Sequence, residues 1–177
     1  MKILKYRCLI DTECEDNKLA KPKKALKIDG YSSLKMDVNC KDFKSCDYLR
    51  YKKSEIILIE ISNLEKQFMD IESKSSLLTK VQKKQLGNTL SKRIEPMSII
   101  RDELRDKYIQ TDLILHKLTD HVKFNIKKSK TYIIAICSNN QSSVIMFQCL
   151  LYDLKSSLKL HSKDIKIICV KDLVNYI

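Results

Sequence analysis

The chain has 177 residues, 44% of them hydrophobic and 32% charged, with only two glycines and two prolines. That balance excludes a disordered or collagen-like polymer and predicts a globular protein long enough to bury a core. Lys and Arg outnumber Asp and Glu by 34 to 22, a formal charge of +12, which favours a polyanionic partner such as nucleic acid, or an acidic protein surface. The blander source of such a surplus is codon bias toward Lys and Ile.

No apolar run approaches the ~20 residues that span a bilayer. The opening Met1-Lys2-Ile3-Leu4-Lys5-Tyr6-Arg7 is charged too often to be a signal-peptide core, so no membrane partner and a cytoplasmic location are expected. Seven cysteines is an odd number, spread through segments that read as strands and helices, and they are expected as reduced core residues. Cys8/Cys14 and Cys40/Cys46 are spaced more widely than structural zinc pairs, which sit about two to four residues apart.

In chain order, residues 3–10 read as a strand or short helix, and 11–17 as an acidic turn. Glu13 or Glu15 there could add a carboxylate to a site, or lie in a solvated loop. A basic connection leads to a short alternating strand over residues 25–29, ended by Gly30. Leu34-Lys35-Met36-Asp37-Val38 alternates again and predicts another half-buried strand; Asp37 and Asp42 nearby are exposed polar residues or ligands.

Next, Ser45-Cys46-Asp47-Tyr48-Leu49-Arg50-Tyr51 and Ile56-Ile57-Leu58-Ile59-Glu60-Ile61-Ser62, joined by Lys52-Lys53-Ser54-Glu55, predict an antiparallel β-hairpin. Centring the loop between Lys53 and Ser54 sets Tyr51 opposite Ile56, Leu49 opposite Leu58 and Asp47 opposite Glu60. Facing Cβ atoms lie roughly 5 Å apart, so two carboxylates there call for a cation, a shared proton or a neighbouring lysine.

Ser62-Asn63-Leu64-Glu65 is a capping-box pattern. It starts a helix with Lys66 in the first turn, near the Glu60 end of the strand. Residues 73–93 hold no acid, and Lys74, Lys80, Lys83, Lys84, Lys92 and Arg93 predict a basic helical face, broken at Gly87-Asn88. Pro96 suits the first turn of another helix. Beyond it Met97, Ile100, Leu104, Tyr108, Thr111, Leu115, Leu118 and Val122 recur at helical spacing, a stripe that packs on the chain's own sheet or docks on a partner or second copy. His116, His121 and His161 read as surface residues. No Ser-His-Asp or Cys-His pairing and no Gly-rich phosphate loop is seen.

Lys123, Lys127, Lys128 and Lys130 form a second basic cluster ahead of Thr131-Tyr132-Ile133-Ile134-Ala135-Ile136-Cys137, a strand of the kind buried on both faces. Val144, Phe147, Leu151, Leu154 and Leu158 mark a helix of about five turns, and residues 164–170 a further strand. Strand, helix and strand imply a parallel right-handed crossover. The expected fold class is therefore α/β: a central mixed sheet with an antiparallel hairpin, a mainly helical insertion over residues 63–130 and a C-terminal β-α-β unit, in one domain over 1–177.

An Asp on the first hairpin strand, a Glu on the second, then a helix and a β-α-β tail resemble the restriction-endonuclease-like PD-(D/E)XK superfamily over residues 34–72 and 131–170. The resemblance implies Asp47 and Glu60 as Mg²⁺ ligands, the ion polarising a phosphodiester and activating bound water. It also implies a Lys two residues beyond the Glu, where this chain has Ser62. Either Lys66 supplies the ammonium from the helix, or the site is inactive and the scaffold is kept for binding.

Three functions follow as expectations. One is metal-dependent nucleic-acid cleavage by Asp47, Glu60 and Lys66, with Lys74, Lys80, Lys83, Lys84, Lys92, Arg93, Lys127 and Lys128 on the phosphates. The second is an inactive accessory subunit docking through its long helices on larger partners, or on a second copy, in a nucleic-acid-processing or antiviral defence complex. The third is a plain nucleic-acid-binding protein.

Overall fold

In a computed structural model, which describes residues 3–12, 14, 19, 21, 23–77, 95–138, 141–159 and 164–177, the hairpin forms in the expected register. Strands β3 (Tyr48–Tyr51) and β4 (Glu55–Ser62) pair antiparallel, with Tyr51 facing Ile56 and Leu49 facing Leu58. Lys52 N–H closes the loop on the Glu55 carbonyl at 2.9 Å. The sheet extends outward on both sides of this hairpin. Its order is β1 (Arg7–Leu9), β2 (Lys24–Lys27), β3, β4, β5 (Ser129–Ile136) and β6 (Asp164–Cys169).

Pairing is antiparallel from β1 to β4 and parallel from β4 to β6, the mixed α/β sheet expected. β4 is the pivot, and Ile56 through Glu60 are all buried. Such a strand needs a covered surface on each side, which is why its apolar run is nearly continuous. Ile56 and Leu58 join Leu49, Tyr132 and Ile134 in a core beneath the helices, while Ile57 and Ile59 join Ile133, Ala135 and Ile168 on the opposite face.

The helices are α1 (Leu34–Asp37), α2 (Leu64–Leu77), α3 (Pro96–Thr119), α4 (Gln141–Phe147) and α5 (Cys149–Leu158). Residues of α2 to α5 belong to the same core. That follows from strand order, since successive right-handed crossovers stepping in one direction cover one face. The α3 stripe packs on the chain's own sheet, with Ile100, Leu104, Tyr108 and Leu115 buried; Val122 lies past the helix end. The opposite face is covered by Ile10, Cys14 and a C-terminal 3₁₀ turn, Val170–Asn175. No helix among the described residues is long and apolar enough to cross a membrane.

Three local expectations are corrected, and that for residues 3–10 is refined. Residues 34–38 form α1 and not a strand, because Leu34 and Val38, four apart, are both buried while Met36 between them is 42% exposed. Residues 3–10 are a 3₁₀ turn, Ile3–Tyr6, followed by β1. The helix expected from Val144 to Leu158 breaks at Gln148, whose N–H bonds to the Ile145 carbonyl, and the buried stripe continues through Leu150 in place of Leu151. Finally, Cys14 and Cys137 form a disulfide, while Cys8, Cys40, Cys46, Cys149 and Cys169 are free.

Candidate functional site

The segment ahead of β3 is pinned to α3 by two backbone donors. Lys44 N–H donates to Gln110 Oε1 at 2.7 Å and Cys46 N–H to Thr111 Oγ1 at 2.8 Å. Thr111, fully buried in the apolar stripe, satisfies its own hydroxyl by donating to the Lys107 carbonyl at 2.7 Å. These bonds fix Asp47 where the hairpin register, one residue beyond Tyr48 facing Ile59, sets it opposite Glu60.

The two carboxylates have different surroundings. Asp47 is half-buried, and its Oδ2 accepts the Ile61 N–H at 2.7 Å. Glu60 shares the strand face of Ile56 and Leu58, is 1% exposed, and points toward α3. There Lys107 Nζ donates to Glu60 Oε1 at 2.6 Å and lies 3.4 Å from Glu103 Oε1. The other oxygen, Oε2, has no hydrogen-bond partner.

Burial, reinforced by the Asp47 carboxylate and opposed by Lys107, pushes the Glu60 carboxyl up to about 8. Burial would lower the Lys107 ammonium and is the largest single influence on it, but the charge and hydrogen bond of Glu60, joined by the charges of Glu103 and Asp47, together outweigh it and hold the group above the usual lysine range. The site thus contains a carboxyl that titrates near neutrality beside a persistent ammonium. Such a pair can hold a proton; its carboxyl is buried, while the Lys107 side chain is 20% exposed. The neighbouring Cys46 thiol is pushed far up by burial, with Glu60 adding to the effect, so it is no nucleophile.

Lys66 is exposed in the first turn of α2, and its N–H donates to Asn63 Oδ1 at 3.0 Å. Asn63 is therefore the cap, where Ser62 was expected; Ser62 Oγ accepts instead from Gln67 Nε2 at 3.0 Å, and Glu65 accepts from Ser143. Lys66 and Asp47 line one cleft of about 370 Å³ with Lys27, Tyr48 and Cys137, and Glu60 is not part of its wall. The expected trio is thus split: Asp47 meets Glu60 across the strands and Lys66 across the cleft, but Lys66 and Glu60 are not brought together.

The ammonium beside Glu60 comes from Lys107, which sequence reasoning missed. Its spacing carried a signal, three residues after Leu104 and four before Thr111, both on the buried stripe. Next to Glu103 at i, i+4 it reads as an ordinary surface pair.

Of the residues expected to hold phosphates, Lys74 and Lys127 are exposed. Lys128 is committed internally, donating to the Lys52 carbonyl at 2.7 Å and standing 3.7 Å above the Tyr51 ring. Lys130 of the same cluster pairs with Asp112 at 3.0 Å. Lys80, Lys83, Lys84, Lys92 and Arg93, like Glu13, Glu15 and His161, lie outside the described residues.

Mg²⁺ asks for about six oxygen donors in near-octahedral array. Among the described residues no three His, Cys, Asp or Glu side chains converge as a metal-binding group. One oxygen of Asp47 is taken by a backbone N–H and one of Glu60 by an ammonium. Comparison with family models, curated proteins and solved structures found nothing that matches this chain.

Proposed function

We propose that the protein binds nucleic acid on a nuclease-like scaffold that does not cleave, serving as an accessory subunit of a larger nucleic-acid-processing assembly. The observation that carries this reading is the Lys107–Glu60 contact. The carboxyl that a catalytic cation would bind is instead bonded to an ammonium from the chain's own helix, and it is buried. Ser62, at the position of the missing motif lysine, is a buried hydroxyl engaged with Gln67.

The surplus of 34 basic over 22 acidic residues supports a polyanionic partner. Docking on a larger component is supported by apolar side chains on the outer helix faces, with Met69 of α2, Leu113 of α3 and Tyr152 of α5 exposed.

The test is fluorescence anisotropy with labelled single- and double-stranded DNA and RNA over a salt series, alongside incubation with Mg²⁺ or Mn²⁺. Binding that falls steeply with salt, with no strand cut, is the expected result. Divalent-dependent cleavage that disappears in Asp47→Ala and Glu60→Ala would replace this reading with the nuclease one. Absence of binding at low salt would remove the nucleic-acid partner.

A further inference from the structure

The hairpin has a second end, remote from Asp47. Arg7 faces Leu26 and Leu26 faces Leu49 across the sheet. Strand alternation then puts Arg7, Lys24 and Tyr51 on one face. The loop after α3 rises beside them, bringing Lys123 and Phe124, and a groove of about 400 Å³ opens between the two walls.

Three properties of this groove belong together. No acidic residue lines it. Among the described residues, Arg7, Lys24 and Lys123 make no ion pair or side-chain hydrogen bond and are all exposed, whereas Lys5, Lys35, Lys44 and Lys130 each pair with an aspartate. The groove also has an apolar, aromatic side: the Tyr51 and Phe124 rings lie 4.7 Å apart at 40°, and Leu4 is 70% exposed.

We infer that this groove is a binding site for a single nucleic-acid strand, with phosphates on Arg7, Lys24 and Lys123 and a base against the Phe124 and Leu4 side. An acidic peptide would satisfy the cations but leave the aromatic wall unused, whereas a strand supplies both anions and planar rings. The volume is that of a small-ligand site, about 300–1,000 Å³, which suits one or a few nucleotides and not a duplex. The inference rests on the nucleic-acid reading above and adds to it where the strand lies.

The experiment is anisotropy of the full chain with a labelled oligothymidylate of about 12 nucleotides, in wild type, Arg7→Glu/Lys24→Glu, Lys123→Glu, Phe124→Leu and, at the other end of the hairpin, Lys66→Glu. The double reversal is expected to weaken binding at least about tenfold and to flatten the log–log salt slope by about 1.4, the loss of two single-strand phosphate contacts. Lys123→Glu should weaken it in the same direction, with a slope change of about 0.7. Phe124→Leu should weaken binding about fivefold with the slope unchanged, and Lys66→Glu should stay within about twofold.

Arg7, Lys24 and Lys123 are exposed, so circular dichroism and melting should match wild type for the charge reversals. Wild-type binding that survives the charge reversals with the same slope overturns the groove and leaves the nucleic-acid reading standing. No wild-type binding to any strand overturns that reading, and the groove with it. Tighter binding of polyglutamate than of oligothymidylate, weakened by the same reversals, overturns the strand in favour of an acidic protein.

Discussion

Lys107 of α3 reaches Glu60 of β4 at 2.6 Å across the helix–sheet interface, with Glu60 1% exposed and Asp47 on the strand opposite. The contact, together with the proton that Glu60 keeps up to about pH 8, makes the closeness of two carboxyl groups tolerable without an external cation. It also ties the longest described helix to the central strand through a polar group inside an apolar layer, where a mispaired register would leave Glu60 buried and alone.

Removing one side of that contact should cost more than removing both. Lys107→Met leaves Glu60 buried without the ammonium that bonds it and is expected to destabilise the fold by about 3 kcal/mol in urea unfolding above pH 8. Below that pH the carboxyl escapes by keeping its proton, and the loss should shrink. The double variant Glu60→Gln/Lys107→Met should recover most of it. Equal losses for single and double variants would show that the two residues act independently.

Glu60 also sets a pH dependence with a definite sign. Its carboxyl titrates at about 8 in the fold against an ordinary value of 4.5, so the folded state holds this proton more tightly. Stability contributed by a raised acid is full below 4.5, declines as pH climbs toward 8 and is level beyond. The Lys107 ammonium, raised above 10.5, contributes stability that is lost only at higher, alkaline pH. Wild type should therefore lose stability relative to Glu60→Gln between pH 4.5 and 8. A difference that stays constant over that window would refute the raised carboxyl.

The hairpin was legible because its two runs are rich in β-branched and aromatic residues and the polar loop between them is short, which leaves little choice but antiparallel pairing. A regular spacing of three and four made α3 legible through Ile100, Leu104, Tyr108 and Leu115. Lys107 was not, because whether a lysine beside such a stripe points to solvent or inward depends on how deeply the helix seats, which no local pattern encodes. Leu34 and Val38 misled for a different reason: over five residues, spacings of two and four coincide. The Cys14–Cys137 pairing spans 123 residues and follows from topology alone.

Asp47 has a structural duty that can be separated from its charge. Its Oδ2 accepts the Ile61 N–H at the point where β4 turns into α2. Asp47→Asn can keep an oxygen acceptor there while removing the carboxylate that helps raise Glu60, so stability should stay within about 0.5 kcal/mol and the Glu60 midpoint should fall. Asp47→Ala loses the acceptor as well, at a cost of about 1 kcal/mol. Carboxyl-carbon NMR of Glu60 in the two variants checks both claims. An unchanged midpoint in Asp47→Asn would mean burial alone sets it.

The Cys14–Cys137 bond links residues 123 apart in the chain, and its Cα atoms are 5.5 Å apart, within the ordinary disulfide range. It fastens Cys14, which packs on the outer face of the sheet, to the end of β5, where Cys137 also lines the Asp47–Lys66 cleft. Reduction should lower stability by about 2–4 kcal/mol through the freed unfolded chain. It should not unfold the protein, since Ile10 remains bonded to Lys23 and Asp11 to Tyr48. Cys14→Ser/Cys137→Ser should melt with the reduced wild type and be indifferent to dithiothreitol. Thiol titration of denatured protein should find the five free cysteines before reduction and all seven after it; seven at the outset would show that the bond does not form.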